Sequence, residues 1–322
     1  MLASSKIDGR IMYDGTVNID GCAVELTNVE HELWPGINKA ADLLSYYNTV
    51  ADYILYHIQN RPLSLHVKPY SPTAPGLYIK DMEGRQPECA EIFSTKRKHP
   101  APGKRNTIDY LVCNNKATLL WIINLGCLDI NPWSSTTTDS THPDYIVIDL
   151  DPSENDFKKV ITTAQAAKEF FDKHKLKAFV KTSGKTGMHI LVPCEGFKFG
   201  EGKQKGEARI IAENICDQIH RLVPDITTLN VSKNSRGDKV YVDPSQNDLA
   251  DTIACAYSCR PYHLPTVSTP LEWKEVNSKL DPTKFTIETV LKRLEKKGEL
   301  WKGVFSGKIR KENSWGLKGF KD

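Results

Sequence analysis

An α+β fold is predicted, with a core sheet whose elements run βαββαβ, the split unit of ferredoxin-like and RNA-recognition-like sheets. Three observations carry this expectation. Short apolar strands alternate with two amphipathic helices in the middle of the chain. Two strands distant in sequence, Tyr145-Ile146-Val147-Ile148-Asp149-Leu150-Asp151-Pro152 and Lys239-Val240-Tyr241-Val242-Asp243-Pro244, each run from β-branched residues into a carboxylate and then a proline. A glycine-flanked turn, Thr182-Ser183-Gly184-Lys185-Thr186-Gly187, separates two further strands of the same set.

Residues 1–30 read as an extended lead-in, with Asn18-Ile19-Asp20-Gly21 as a hairpin-like turn and Val24 and Leu26 alternating with polar neighbours. Asn38 is placed to cap a scaffold helix in which Leu43, Leu44, Tyr47, Val50, Ile54, Leu55 and Ile58 recur at helical spacing, until Arg61-Pro62 ends it. From Leu63 to Lys80 the pattern turns to short strands broken by Pro69, Pro72 and Pro75. His66, Lys68, Tyr70, Tyr78 and Lys80 fall there, and two readings fit them: a surface that stacks single-stranded bases and holds phosphates, or a proline-stiffened connection with solvated lysines.

Lys96, Arg97, Lys98, His99, Lys104 and Arg105 crowd one loop, which suits a phosphate contact or a solvated charged loop. Ala117 to Leu128 reads as a core helix. After the first acid-bearing strand, Phe157 to His174 is an amphipathic helix with Val160, Ile161, Ala164, Ala167 and Phe171 inward. The strands Ala178-Phe179-Val180 and Met188 to Val192 follow, then a helix from about Glu207 to Leu222 and the Asp243 strand. A last helix is expected over Ile287 to Lys297, before a basic tail that carries Lys302, Lys308, Arg310, Lys311, Lys318 and Lys321.

The two acid-bearing strand ends point to metal chemistry. Alternate residues of a strand share a face, so Asp149 and Asp151 point together, about 6.6 Å apart along the chain. Like charges that close repel unless a cation lies between them. With Asp243 as a third carboxylate, the set would hold two divalent ions, and hard oxygen donors favour magnesium or manganese over zinc. Gly184-Lys185-Thr186 imitates the end of a P-loop. A P-loop needs glycine five residues before Gly184, where Phe179 stands, and it opens a helix, whereas here a strand follows. What remains is a turn whose amides, with Ser183, Gly184, Lys185 and the nearby His189, could cradle a triphosphate, or a plain hairpin turn. Lys233 and Arg236 before the Asp243 strand, and Arg260 after it, are cations suited to phosphate or to a surface acid.

Composition bounds the rest. The chain has 322 residues, 39% hydrophobic and 26% charged, with a formal charge of +3, so nucleic-acid affinity would need local clustering of cations. No apolar run approaches the ~20 residues needed to span a bilayer, and the N-terminus lacks a signal peptide's apolar core. A cytoplasmic, nucleoid-associated location is the expectation. The eight cysteines form no Cys-x-x-Cys pair and read as reduced core residues, not as a zinc site.

Several blocks in order carry a family resemblance: Lys39-Ala40-Ala41-Asp42-Leu43-Leu44-Ser45-Tyr46-Tyr47, Leu125-Gly126-Cys127, Asp149-Leu150-Asp151-Pro152, Thr182 to His189, Val242-Asp243 with Ser245-Gln246-Asn247, and Tyr257-Ser258-Cys259-Arg260. Pro265-Thr266-Val267, Pro270-Leu271 and Trp273 trail them. The chain resembles, over roughly residues 25 to 305, the polymerase module of the ligase D of prokaryotic non-homologous end joining, a branch of the archaeo-eukaryotic primase superfamily. The resemblance implies a primase-like catalytic core with an RRM-like sheet plus an N-terminal α/β portion. It further implies one domain over 1–305, divided at about 1–140 (scaffold and DNA contact), 141–275 (metal and nucleotide core) and 276–305 (C-terminal helix), with 306–322 as a basic tail.

By this resemblance Asp149, Asp151 and Asp243 match the metal-binding, catalytic carboxylates. Ser183, Lys185, His189 and Arg260 match residues that hold the incoming nucleotide, and Arg236 matches a cation near the primer end or the nucleotide phosphates. Lys39 falls where the family grips a 5′-phosphate across a gap, and Tyr78 near an aromatic that stacks on template. His31 replaces a usual lysine and Asn131 a usual histidine. Lys39, His31, Tyr78, Lys68, Lys80, Lys96, Arg97, Lys98 and Lys233 make up the expected DNA-binding set.

The implied activity is templated primer extension at gaps and broken ends, with ribonucleotides accepted and manganese or magnesium as cofactor. The implied partners are nucleoside triphosphates, 5′-phosphorylated gapped DNA, a Ku-type end binder and a separate ligase. The chain ends at Asp322 without room for ligase or phosphoesterase modules, so a separate subunit is expected. Strand initiation without a primer, a non-catalytic DNA end-binding module and a two-metal nuclease are the competing readings.

Overall fold

The computed structural model describes all residues except 1–5, 8, 9, 12, 13, 98–102, 104, 154, 155, 203, 307 and 311–322. Lys98, Lys104 and the tail residues Lys311, Lys318 and Lys321 therefore lie outside the described residues. The chain divides into two compact units that are not continuous in sequence. The first comprises Met1–Pro132, Ala254–Val267 and Phe285–Lys296, and the second Trp133–Ile253, Ser268–Lys284 and Lys297–Asp322. Arg260, which follows the acids in sequence, thus belongs to the first unit.

In the first unit β1 (Gly15–Ile19) and β2 (Cys22–Leu26) pair as a hairpin. The two-residue turn has positive φ at Asp20 (52°) and Gly21 (89°), which suits the twist of a tight hairpin. Helix α1 (Ala40–Ile58) starts after the expected Asn38 cap: Lys39 is the cap residue, and its N–H donates to the Asp42 carboxylate at 2.9 Å. The apolar stripe read from sequence is buried from Leu43 to Ile58 except at Leu55, which is half-buried, and Tyr46, Ala51 and His57 are buried with it. Strands β3 (Pro62–Val67), β4 (Leu77–Ile79), β5 (Glu91–Lys96), β6 (Thr107–Val112) and β7 (Cys127–Pro132) form one sheet in the order β7-β3-β6-β5, with β4 also on β3.

The helix expected over Ala117 to Leu128 is shorter. Helix α2 spans Lys116–Asn124, capped by the Asn115 side chain on the Thr118 N–H, and Cys127 and Leu128 already belong to β7. An apolar run buried on all sides has no period to separate its helical part from its strand part.

In the second unit the elements are β8 (Tyr145–Pro152), α3 (Phe157–Lys173), β9 (Phe179–Thr182), β10 (Met188–Glu195), α4 (Glu207–Leu222), β11 (Thr227–Thr228) and β12 (Val240–Asp243), the expected order with one unforeseen two-residue strand, β11, before the last. With β13 (Pro270–Leu271) the spatial order is β11-β12-β8-β10-β9-β13. The acid-bearing strands β8 and β12, whose nearer ends Pro152 and Val240 are 88 residues apart in sequence, are antiparallel neighbours. Asn247 locks the pair from behind: its side-chain amide accepts from the Val147 N–H at 2.8 Å and donates to the Val147 and Pro244 carbonyls, each at 2.7 Å. A buried amide thus completes ladder bonds that no strand supplies.

The turn between β9 and β10 needs both its glycines. Gly184 has φ +76°, and a Cβ at Gly187 would lie 2.3 Å from the Leu150 carbonyl oxygen. Gly187→Ala must push β10 away from β8, and we expect it to cost about 2 kcal/mol in urea unfolding.

Candidate active site

The β8–β12 register brings the three acids together on one sheet face. Asp149 is the direct cross-strand partner of Asp243, and Asp151 is opposite Tyr241. Residues directly opposite in an antiparallel pair have Cβ atoms about 4.5–5.5 Å apart, and Asp151 shares the face of Asp149 two residues on. On its other side Asp149 pairs with His189 of β10, and His189 pairs with Lys181 of β9. One row of polar side chains, Lys181, His189, Asp149 and Asp243, therefore crosses four adjacent strands.

Each carboxylate has a partner of its own. The His189 Nε2 lies 3.6 Å from Asp149 Oδ1. Arg236 Nη1 lies 3.2 Å from Asp151 Oδ2. Asp243 Oδ1 accepts from the Ser245 N–H at 2.7 Å. Among the described residues no three His, Cys, Asp or Glu side chains are drawn into a ready metal cage. The donor set still fits a hard divalent ion, since the three carboxylates share one face and each is part-exposed. Burial, together with the charge of Asp243, pushes the Tyr241 phenol up to about 12.

Arg236 is 6% exposed and does more than face Asp151. Its Nε and Nη2 donate to the Asn230 and Val231 carbonyls at 3.1 and 2.9 Å, and its guanidinium lies 3.9 Å over the Tyr241 ring. One cation thus ties the 229–236 loop to the acidic face. Lys233, in a 3-10 turn of the same loop, is exposed. In the glycine turn the Ser183 hydroxyl oxygen accepts from the N–H groups of Lys185 and Gly187, at 3.1 and 3.0 Å. Ser183 therefore shapes the turn from inside, and the Lys185 side chain is half-buried beside it.

The remaining expected positions belong to the first unit. Lys39 pairs with Glu30 at 2.5 Å, and this hydrogen bond raises its pKa. His31 is exposed, with Nε2 2.8 Å from the Tyr70 carbonyl. The Lys68 ammonium donates to the Ala74 carbonyl, while Lys80 and Lys96 are exposed. Arg97 pairs with Asp81, and Arg105 with both Asp81 and Asp109, so these two cations of the basic loop tie strands to loop.

Tyr78 is 63% exposed and stacks on His66 with ring centres 4.2 Å apart. Behind that stack lies Asp129, which sequence reasoning missed. Its buried carboxylate is 3.3 Å from Arg260 Nε and 3.7 Å from His66 Nδ1. Asn131 donates to the Asp129 carbonyl at 3.0 Å. Only a buried acid within an apolar strand, Cys127–Pro132, could have signalled it.

The family model for the LigD primase-polymerase domain matches residues 39–301. The chain belongs to this family. It is 32% identical over 261 residues to the bifunctional non-homologous end joining protein LigD of Bacillus subtilis, covering 80% of this chain and 40% of that protein. To the multifunctional LigD of Mycolicibacterium smegmatis it is 27% identical over 282 residues, covering 86% of this chain and 35% of that protein. The chain therefore spans two fifths or less of the length of these relatives. The polymerase domain from Mycobacterium tuberculosis ligase D, solved in complex with DNA, superposes with a TM-score of 0.75 at 24% identity, covering 89% of this chain and 99% of that one. That likeness bears on the fold, which is the mixed α and β architecture of this primase-polymerase family. No helix among the described residues is long and apolar enough to cross a membrane.

Asp129→Asn keeps the side-chain shape but removes the charge that Arg260 and His66 face. We expect it to lower stability by about 3 kcal/mol, read by urea unfolding.

Proposed function

We propose that this chain is a template-directed nucleotidyltransferase that extends a primer 3′-hydroxyl at gaps and broken DNA ends, in non-homologous end joining. The observation that carries the reading is the register that sets Asp149 opposite Asp243, with Asp151 on the same face. Membership of the LigD primase-polymerase family supports it.

Two divalent ions, magnesium or manganese, would activate the primer hydroxyl and offset the charge of the leaving pyrophosphate. Asp149, Asp151 and Asp243 would hold them. Arg236 would then share or release Asp151 and turn its charge to the nucleotide or the primer end. Ser183 keeps the glycine turn in shape, so that Gly184 brings its backbone close to the triphosphate while Lys185 and His189 contact it. In the first unit Arg260 would contribute a bidentate phosphate contact, oriented by Asp129.

Tyr78, already stacked on His66, offers a further face to a template base. Lys39 and His31 would receive the 5′-phosphate across a gap, with Lys68, Lys80, Lys96, Lys98 and Lys233 on the DNA backbone; Lys39 would exchange Glu30 for the phosphate. Ribonucleotides are the expected preferred substrate, and a Ku-type end binder and a ligase the expected partners.

A gapped, 5′-phosphorylated duplex incubated with ribo- or deoxyribonucleotides and either metal tests the reading on one gel. Extension should require the metal, stop with chelator and resume when manganese is restored. Asp149→Ala should lose extension by at least about 10³-fold while retaining DNA in a mobility-shift assay. Extension by that variant at the wild-type rate would overturn the proposal.

A further inference from the structure

Lysine is rarely fully buried, because its ammonium must leave water. Lys181 is 1% exposed, in the middle of the second unit's sheet. Its neighbours explain how the charge is held. Nζ lies 2.6 Å from His189 Nδ1 and 2.5 Å from Ser268 Oγ. The Ser268 hydroxyl donates onward to the Thr182 carbonyl at 2.9 Å, so the lone pairs of Oγ are what Nζ meets. An ammonium has three donors and no acceptor. With Lys181 protonated, the His189 nitrogen facing it accepts.

That requirement reaches the acidic face. A neutral imidazole that accepts at Nδ1 carries its hydrogen on Nε2, and Nε2 is the atom 3.6 Å from Asp149 Oδ1. The strand register enforces the order, since Lys181 pairs with His189 and His189 with Asp149. His189 is itself 3% exposed, so its ring has no room to turn over freely. A histidine beside carboxylates can serve a metal as a lone-pair ligand or serve an oxygen as an N–H donor. Lys181 removes the first choice at Nδ1 by occupying its lone pair, and at Nε2 by leaving it protonated.

We propose that Lys181 is a positioning residue for nucleotide binding: it fixes His189 as an Nε2–H donor aimed at Asp149 and at a phosphate oxygen of the incoming nucleotide, and keeps it out of the metal's ligand set. The nucleotide half of this rests on the proposed function; the tautomer half rests on the hydrogen bonds alone. A lysine that served the fold only would stabilise the sheet but leave the imidazole's tautomer and the nucleotide affinity where they were.

The test uses the full chain with histidine-selective ¹⁵N labelling, and long-range ¹H–¹⁵N spectra recorded without metal. His189 is assigned by the signal lost in His189→Gln. The wild type should show the Nε2–H tautomer. Lys181→Met, which keeps length and removes the donors, should shift His189 toward the other tautomer and weaken binding of a fluorescent ATP analogue with magnesium by about 10- to 100-fold. In extension assays the loss should fall on KM for the nucleotide more than on kcat, and Lys181→Arg should recover part of it.

Should Lys181→Met fail to fold, Ser268→Ala retains the lysine, frees its second anchor and should loosen the same tautomer preference. An Nδ1–H tautomer in the wild type overturns the proposal. So does a folded Lys181→Met chain with unchanged tautomer and affinity. A wild type that extends no primer, yet shows the Nε2–H tautomer and a Lys181-dependent nucleotide affinity, would overturn the polymerase reading and support this one.

Discussion

Repulsion between like charges shapes the acidic face of the second unit. Backbone pairing, which is indifferent to side-chain charge, puts Asp149 opposite Asp243 and leaves Asp151 two residues along the same face. The surrounding side chains answer that concentration of negative charge. Arg236 reaches Asp151, the Ser245 amide reaches Asp243, and His189 faces Asp149. Arg236 brings a positive charge, while the amide and the imidazole each turn a nitrogen toward their carboxylate. The sheet tolerates the arrangement because the strands that carry it are pinned elsewhere, by the Asn247 amide on Val147 and by the close approach of Gly187 to Leu150.

The first unit handles a buried charge in the opposite way. One carboxylate, Asp129, is shared by the Arg260 guanidinium and the His66 ring, and His66 in turn carries Tyr78 on its outer face. The segment that presents Arg260 is held by helix α1: the Tyr46 hydroxyl donates to the Tyr257 carbonyl, and the Cys259 N–H donates to the Tyr47 hydroxyl, both at 2.9 Å. Tyr257 has φ +66°, an uncommon conformation for a bulky residue. Rigid tyrosine anchors on both sides make that conformation affordable and fix where the arginine emerges. Tyr47, which reads as part of the apolar stripe of its helix, and its neighbour Tyr46 are therefore also the support of a phosphate-binding candidate.

Cations that look alike in sequence separate once their partners are known. Arg97 and Arg105 stand in the densest basic stretch, yet both are engaged with Asp81, and Arg105 also with Asp109. Arg236, in a sparser stretch, is buried against an acid of the candidate metal set. Lysine density along a chain measures how much charge is present, whereas free charge depends on acids brought up by strands far away in sequence.

Much of this protein was legible in the amino-acid order. Alternating apolar patterns marked the strands and helices of the second unit, Asp20-Gly21 marked the first hairpin, and carboxylates at strand ends marked the candidate site, because these signals depend on neighbours within a few residues. Family membership was legible for the same reason, as short blocks in a fixed order. The tertiary structure alone decided register and partnership. It showed that α2 stops at Asn124 and that Lys39 caps α1. It placed Arg260 in the unit of Asp129, and it revealed that Asn247, Asp129 and Lys181 hold other residues in place. Such roles arise from distances between segments up to a hundred or more residues apart, and no local period or motif encodes the side chain that will stand across a sheet.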